Sequence, residues 1–137
     1  MRMKYDEFLK QEKQIKQPKR HDDEEHRIQC ACVRWFRLTH KPLAGLLYAV
    51  PNGGKRDKVS AAIMKREGVL AGVSDLNLDI PSGKYHGLRI EMKTPKGRQQ
   101  ASQQQFQYNV ERQGYKYVIC HSLDEFSSII NRYLNLS

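Results

Sequence analysis

Hydrophobic and polar positions change period several times along this chain. Between His21 and His40, Ile28, Cys32, Trp35 and Phe36 recur at helical spacing, and Asp22 and Asp23 suit the positive start of a helix. Pro42 stands just past the expected stop. Leu46 to Val50 is a short apolar run closed by Pro51-Asn52-Gly53-Gly54, which reads as a buried strand running into a turn. Residues 57–67 return to helical spacing. Val59, Ala62, Ile63 and Met64 are expected to face the core there, with Gly68 just past the helix end. Leu76, Leu78 and Ile80 then alternate with Asn77 and Asp79, the period of a strand. Pro81, Ser82 and Gly83 make a turn and Leu88 to Lys93 alternate again, so a hairpin is predicted. Thr94-Pro95-Lys96-Gly97 ends it. A glutamine-rich helix follows to about Gln113, with Gly114 as its cap. A strand over Tyr115–Cys120 comes next. Ser122 to Glu125 has the form of a capping box and opens a last helix to about Leu134.

The order is helix, strand, helix, two strands, helix, strand, helix. Those are too many helices for a sandwich and too few strands for a barrel. The pattern predicts an α/β fold with a mixed central sheet flanked by helices. Residues 1–20 alternate Lys, Gln and Glu with few apolar positions, and Pro18 ends the run. They are expected to form a basic N-terminal arm, weakly helical or a solvated tail, ahead of a single domain over 21–137.

Composition adds a partner class. Lys and Arg number 24 against 15 Asp and Glu, and the net charge of +9 suggests a polyanion. A generically soluble basic protein would look the same. Three cysteines, with no CxxC pair, indicate neither a disulfide framework nor a zinc knuckle. Cys30 and Cys32 are expected as small core residues, in a reducing cytoplasm. No apolar run approaches membrane-spanning length, and Met1 is followed by charge rather than a hydrophobic leader. The histidines do not cluster. Tyr85, Tyr115 and Tyr117 read as packing residues. There is no Ser-His-Asp set, P-loop or Rossmann glycine fingerprint.

The chemistry concentrates in the second strand of the hairpin. Glu91 and Lys93 share one face there, and Ile90 and Met92 share the other, core face. The hairpin brings Asp75 toward Glu91. Two close carboxylates repel unless a cation lies between them, and oxygen donors favour Mg²⁺ or Mn²⁺. With an ammonium alongside, this is the equipment for phosphodiester hydrolysis. The plain alternative is a turn aspartate, an exposed strand glutamate and a surface lysine.

Asp75, with Glu91-Met92-Lys93 sixteen residues on, resembles the PD-(D/E)xK nuclease pattern. The stretches "PNGGKRD", "EGVLAGVSDLNLDIP", "YHGLRIEMKTPKGRQQASQQQ" and "GYKYVICHSLDEF" together resemble the VRR-NUC branch, in the small stand-alone form common in phage and prophage genomes. The resemblance runs from about Glu24 to the C-terminus. It implies a restriction-endonuclease-like fold and a Mg²⁺- or Mn²⁺-dependent deoxyribonuclease with no small-molecule cofactor. Asp75 and Glu91 would ligate the ion with the backbone carbonyl of Met92, and Lys93 would hold or activate the water. The first-helix glutamate that completes such metal sites falls on Glu25, with Glu24 the alternative. A glutamine after the E-x-K strand falls on Gln103, with Gln104 and Gln105 the alternatives. Two features depart from the pattern. Ser74 stands where a proline is usual, and Ser102 with Gln105 offers a second capping box that would start the helix later.

Asn52, Gly53 and Gly54 are expected at the mouth of the site. Lys55, Arg56, Lys96 and Arg98 are expected to touch DNA phosphates; solvated surface is the ordinary reading. Architectural analogy with Holliday-junction resolvases suggests a homodimer cutting branched DNA. The competing reading is a non-catalytic DNA-binding module that keeps the fold. An RNA-binding protein would lack any RRM or KH signature here.

Overall fold

The two strands that alternate leucine with polar residues do pair, and their register organises everything around them. The computed structural model describes residues 4–14, 23–51 and 57–136. β2 (Leu76–Leu78) runs antiparallel to β3 (Leu88–Met92), with Leu76 opposite Ile90 and Leu78 opposite Leu88. β1 (Leu47–Ala49) adds antiparallel to β2, and β4 (Lys116–Cys120) adds parallel to β3. The sheet is therefore mixed, in the order β1-β2-β3-β4. The parallel pair needs a crossover, which α4 (Ala101–Arg112) supplies.

Alternation sorts side chains to the two faces. Leu47, Leu76, Leu78, Leu88, Ile90 and Met92 are buried on one face. α2 (Asp23–Thr39) and α5 (Leu123–Leu134) pack together there through Cys32, Trp35, Phe36, Phe126 and Ile130. Each such side chain contributes on the order of 1.5–3 kcal/mol by leaving water. The Trp35 and Phe126 rings meet edge to face, 6.0 Å apart. On the opposite face α4 covers β4, where Phe106 lies 6.3 Å from the Tyr117 ring. α5 begins as expected, with Ser122 Oγ accepting the Glu125 N–H at 3.1 Å. It ends by pinning the hairpin, since Tyr133 Oη donates to the Ile80 carbonyl at 2.6 Å.

Four expectations change. Residues 5–14 are not a solvated tail. They form α1 (Tyr5–Gln14), whose Phe8 is 2% exposed in the core. The Arg34 guanidinium lies 5.1 Å over the Phe8 ring and pairs with Glu12 at 3.1 Å, while Tyr5 hydrogen-bonds Asp124. A 3-10 helix (Lys41–Leu46), with Pro42 in its first turn, precedes β1. Cys30 is exposed while Cys32 is buried. Two residues apart on a helix, they point to opposite sides. Finally, α3 (Lys58–Arg66) buries none of its side chains. Val59 and Ile63 are 70% and 48% exposed, because α3 is not packed extensively on any other element. Among the described residues no helix is long and apolar enough to cross a membrane.

Candidate active site

The site forms where β2 stops short of β3. β2 begins at Leu76, so Met92 has no strand partner on that side. Asp75 fills the gap: its Oδ2 accepts the Met92 N–H at 2.7 Å. A strand residue's N–H and C=O point toward the same neighbour, so the Met92 carbonyl faces this gap as well. Ser74, at the position where proline was expected, is buried, and its Oγ donates to Asn77 Oδ1 at 3.2 Å. Serine thus fixes the turn before Asp75 by a hydrogen bond.

Glu91 and Lys93 leave β3 on the face away from the α2/α5 core, yet both are buried, at 2% and 9% exposure. The exposed-face reading of this strand is therefore excluded. Lys93 Nζ lies 3.9 Å from Glu91 Oε1. Gln103 Nε2 donates to the same oxygen at 2.8 Å, while Gln103 Oε1 accepts the Gln100 N–H at 2.7 Å. Gln103 therefore caps α4 and holds Glu91 at once. This settles the register: the helix starts at Ala101, not at a Ser102–Gln105 box. Glu91 Oε2 is buried, and among the described residues no donor reaches it; the group against this carboxyl is the Asp75 carboxylate, close enough to share a proton with it. Burial, above all, pushes the Glu91 carboxyl far above its ordinary range. The Asp75 carboxylate beside it and Glu25 add to that rise, while Lys93 opposes it.

Asp75, Glu91, Lys93, Gln103 and Glu25 line one cavity of about 1000 Å³. Glu25 reaches it from the first turn of α2; Glu24 is exposed and does not line it. Lys96 and Arg98 are exposed on the segment between β3 and α4, outside the cavity lining. Asn52, Gly53, Gly54, Lys55 and Arg56 lie outside the described residues. Lys65 and Met64 of α3 also line the cavity and were not foreseen as site residues. The signal was present: Ala61, Met64, Lys65 and Gly68 recur at i, i+3, i+4 and i+7.

The loop bearing Asp75 is seated on α4 through Gly72. Its φ is +86°, and a Cβ there would come closer than 3.0 Å to the backbone of Ser102. Gly72→Ala should cost about 2–4 kcal/mol in chemical denaturation. The Met92 amide should also lose hydrogen-exchange protection, because its acceptor, Asp75, lies three residues downstream of the displaced backbone.

A divalent cation suits the donors. Asp75, Glu91 and Glu25 offer hard oxygens, and the buried Glu91 carboxyl set against the Asp75 carboxylate is a pair that a cation could bridge in place of a proton. Among the described residues no three Asp, Glu, His or Cys side chains converge closely enough to cage an ion.

Comparison with known proteins agrees with this architecture. The sequence model of the VRR-NUC domain matches residues 8–124. A solved structure described as a VRR_NUC domain protein is similar at 31% identity and a TM-score of 0.72, over 90% of this chain and 93% of that one. No curated protein matches the chain. The mixed sheet flanked by helices is thus the fold expected of that family. With most of its length matched in sequence and in structure, the chain belongs to the VRR-NUC domain family.

Proposed function

We propose that this protein is a divalent-metal-dependent endonuclease that hydrolyses phosphodiester bonds in DNA. Family membership gives the coarser statement, a nuclease-like DNA-binding domain. The observation that carries the finer one is Glu91. It is buried against the Asp75 carboxylate, beside Lys93 and Gln103, and among the described residues no donor reaches its Oε2. A carboxyl so placed keeps its proton until a cation arrives, and the second carboxylate against it would give that cation two ligands.

Asp75, Glu91 and the Met92 carbonyl would hold Mg²⁺ or Mn²⁺, with Glu25, which lines the same cavity, completing the set. Once bound, the ion would screen the phosphate and acidify its water. The chain's own groups do the rest. Gln103 fixes the Glu91 carboxylate against α4. Asp75 is held in place by the Met92 N–H. Lys93 Nζ, tethered beside Glu91 Oε1, is placed to donate to the attacking oxygen or to the charge developing on the phosphate. Lys96 and Arg98 would contact flanking phosphates, making binding strongly salt-dependent. A homodimer acting on four-way or branched DNA completes the proposal, by architectural analogy.

Incubation with linear, flapped and four-way DNA in Mg²⁺ or Mn²⁺ should give cleavage that EDTA abolishes. If every substrate stays intact with either ion, at protein concentrations that bind DNA, the non-catalytic module takes over.

A further inference from the structure

One wall of the cavity has no place in this chemistry. The acids, Lys93 and Gln103 come from α2, β3, α4 and the residue before β2. The lining that α3 and its connection to β2 supply is mostly aliphatic, Ala61, Met64, Val69, Leu70 and Val73, with Lys65 as its one charged member among the described residues. Val69 and Leu70 leave 38% and 58% of their surface exposed. The loop between Gly68 and Gly72 has a positive φ at each end, +102° and +86°, so its shape is set by its own backbone and by the seat on Ser102.

A continuous duplex would not cover such a wall. Its base faces are stacked inside the helix, and what it presents to carboxylates and lysines is charged phosphate. An aliphatic surface facing phosphate or water gains nothing. A base out of the stack is different. It presents a flat apolar face, and its own phosphate can lie within reach of Lys93 while the base meets the wall. The cavity, at about 1000 Å³, sits at the upper end of pockets that enclose small ligands. The wall's aliphatic members carry no side-chain donor or acceptor to read a base edge. Recognition there would be indifferent to base identity, as contact through the π-face is.

Resting on the nuclease reading, we propose that the cavity seats one unpaired nucleotide next to the scissile phosphodiester. Its phosphate lies on the Lys93 side and its base against Met64, Val69 and Leu70. The preferred substrate is then DNA with a locally unstacked base. A continuous duplex does not meet this requirement, and branched or four-way DNA meets it where a base at the branch point is unpaired. Extrusion is least costly where pairing is already lost, which supplies the selectivity.

The test compares equal-length duplexes in Mn²⁺, one continuous and one with a single-nucleotide bulge. The parent protein should show a kcat/KM at least about tenfold higher on the bulged duplex, with cuts beside the bulge. A Val69→Ser, Leu70→Ser double variant, shown to melt like the parent, should bring that ratio within about twofold of unity. Independently, 2-aminopurine placed in the bulge should brighten several-fold on binding in EDTA, because among the described residues the lining holds no aromatic ring to quench it. It should not brighten with the double variant. Equal kcat/KM on the two duplexes overturns the proposal. If no duplex is cut at all, the nuclease reading fails instead. The pocket is then decided by emission alone, and unchanged emission sinks it.

Discussion

Glu91→Gln should slow DNA cleavage by about three orders of magnitude or more, yet the metal-free variant should melt above the parent at pH 8. The first effect follows from removing a charge that only the loaded site can use. The second follows from linkage. The folded Glu91 carboxyl titrates near pH 9, against an ordinary value of 4.5, chiefly because it is buried. Between those values the folded state holds a proton that the unfolded chain has released. Stability from this group is therefore full below about pH 4.5 and declines as pH rises toward 9. Glutamine cannot ionise, and its Oε1 can still accept from Gln103. The gap in Tm between variant and parent in EDTA should thus open from near zero at pH 5 to several degrees at pH 8, where ~1 kcal/mol is worth roughly 3–6 °C in a domain of this size. A variant that melts below the parent at pH 8 would show that Glu91 is a paired structural carboxylate and not one waiting for a cation.

Phe8→Ala should be among the most destabilising single substitutions in the chain. Truncating a fully buried phenylalanine costs about 3–5 kcal/mol, a large part of the 5–15 kcal/mol that holds a typical domain together. The expected fall in Tm is roughly 10–20 °C. The stacked Arg34 guanidinium loses its ring in the same step, while its bonds to Glu12 and Gln11 tie it to a helix that keeps only the partly buried Tyr5 and Leu9. Thermal melts of Phe8→Ala and of a chain lacking residues 1–14 decide the matter. If both stay within about 2 °C of the parent, α1 is the dispensable arm that its composition suggests.

That contrast shows what the sequence could and could not convey. The hairpin was legible because two runs alternate with a strict period and are divided by Pro81, Ser82 and Gly83. The α5 cap was legible because Ser122 and Glu125 carry it locally. That Glu91 and Lys93 share a face was legible because parity fixes which face a strand side chain takes, and Asp75 came beside Glu91 through the hairpin. α1 was hidden because its apolar members, Tyr5, Phe8 and Leu9, are outnumbered by Lys, Gln and Glu, and docking depends on α2 and α5 partners far along the chain. For α3, spacing revealed a helix but not what lay opposite it. Its Ala61, Met64 and Lys65 face a cavity rather than a core. Gln103 could be told from its neighbours only once Gln100 was seen to start the helix.

The seat of Gly72 on Ser102 has a mechanical consequence. The loop that carries Asp75 and the helix that carries Gln103 touch backbone to backbone, with no side chain between them to yield. Asp75 is in turn bonded to β3, and Gln103 to Glu91 on that same strand. Loop, strand and helix form a closed triangle, so the three sides of the acidic wall move as one body. Width in this cavity is adjusted, if at all, from the far jaw: α3, which has no comparable anchor.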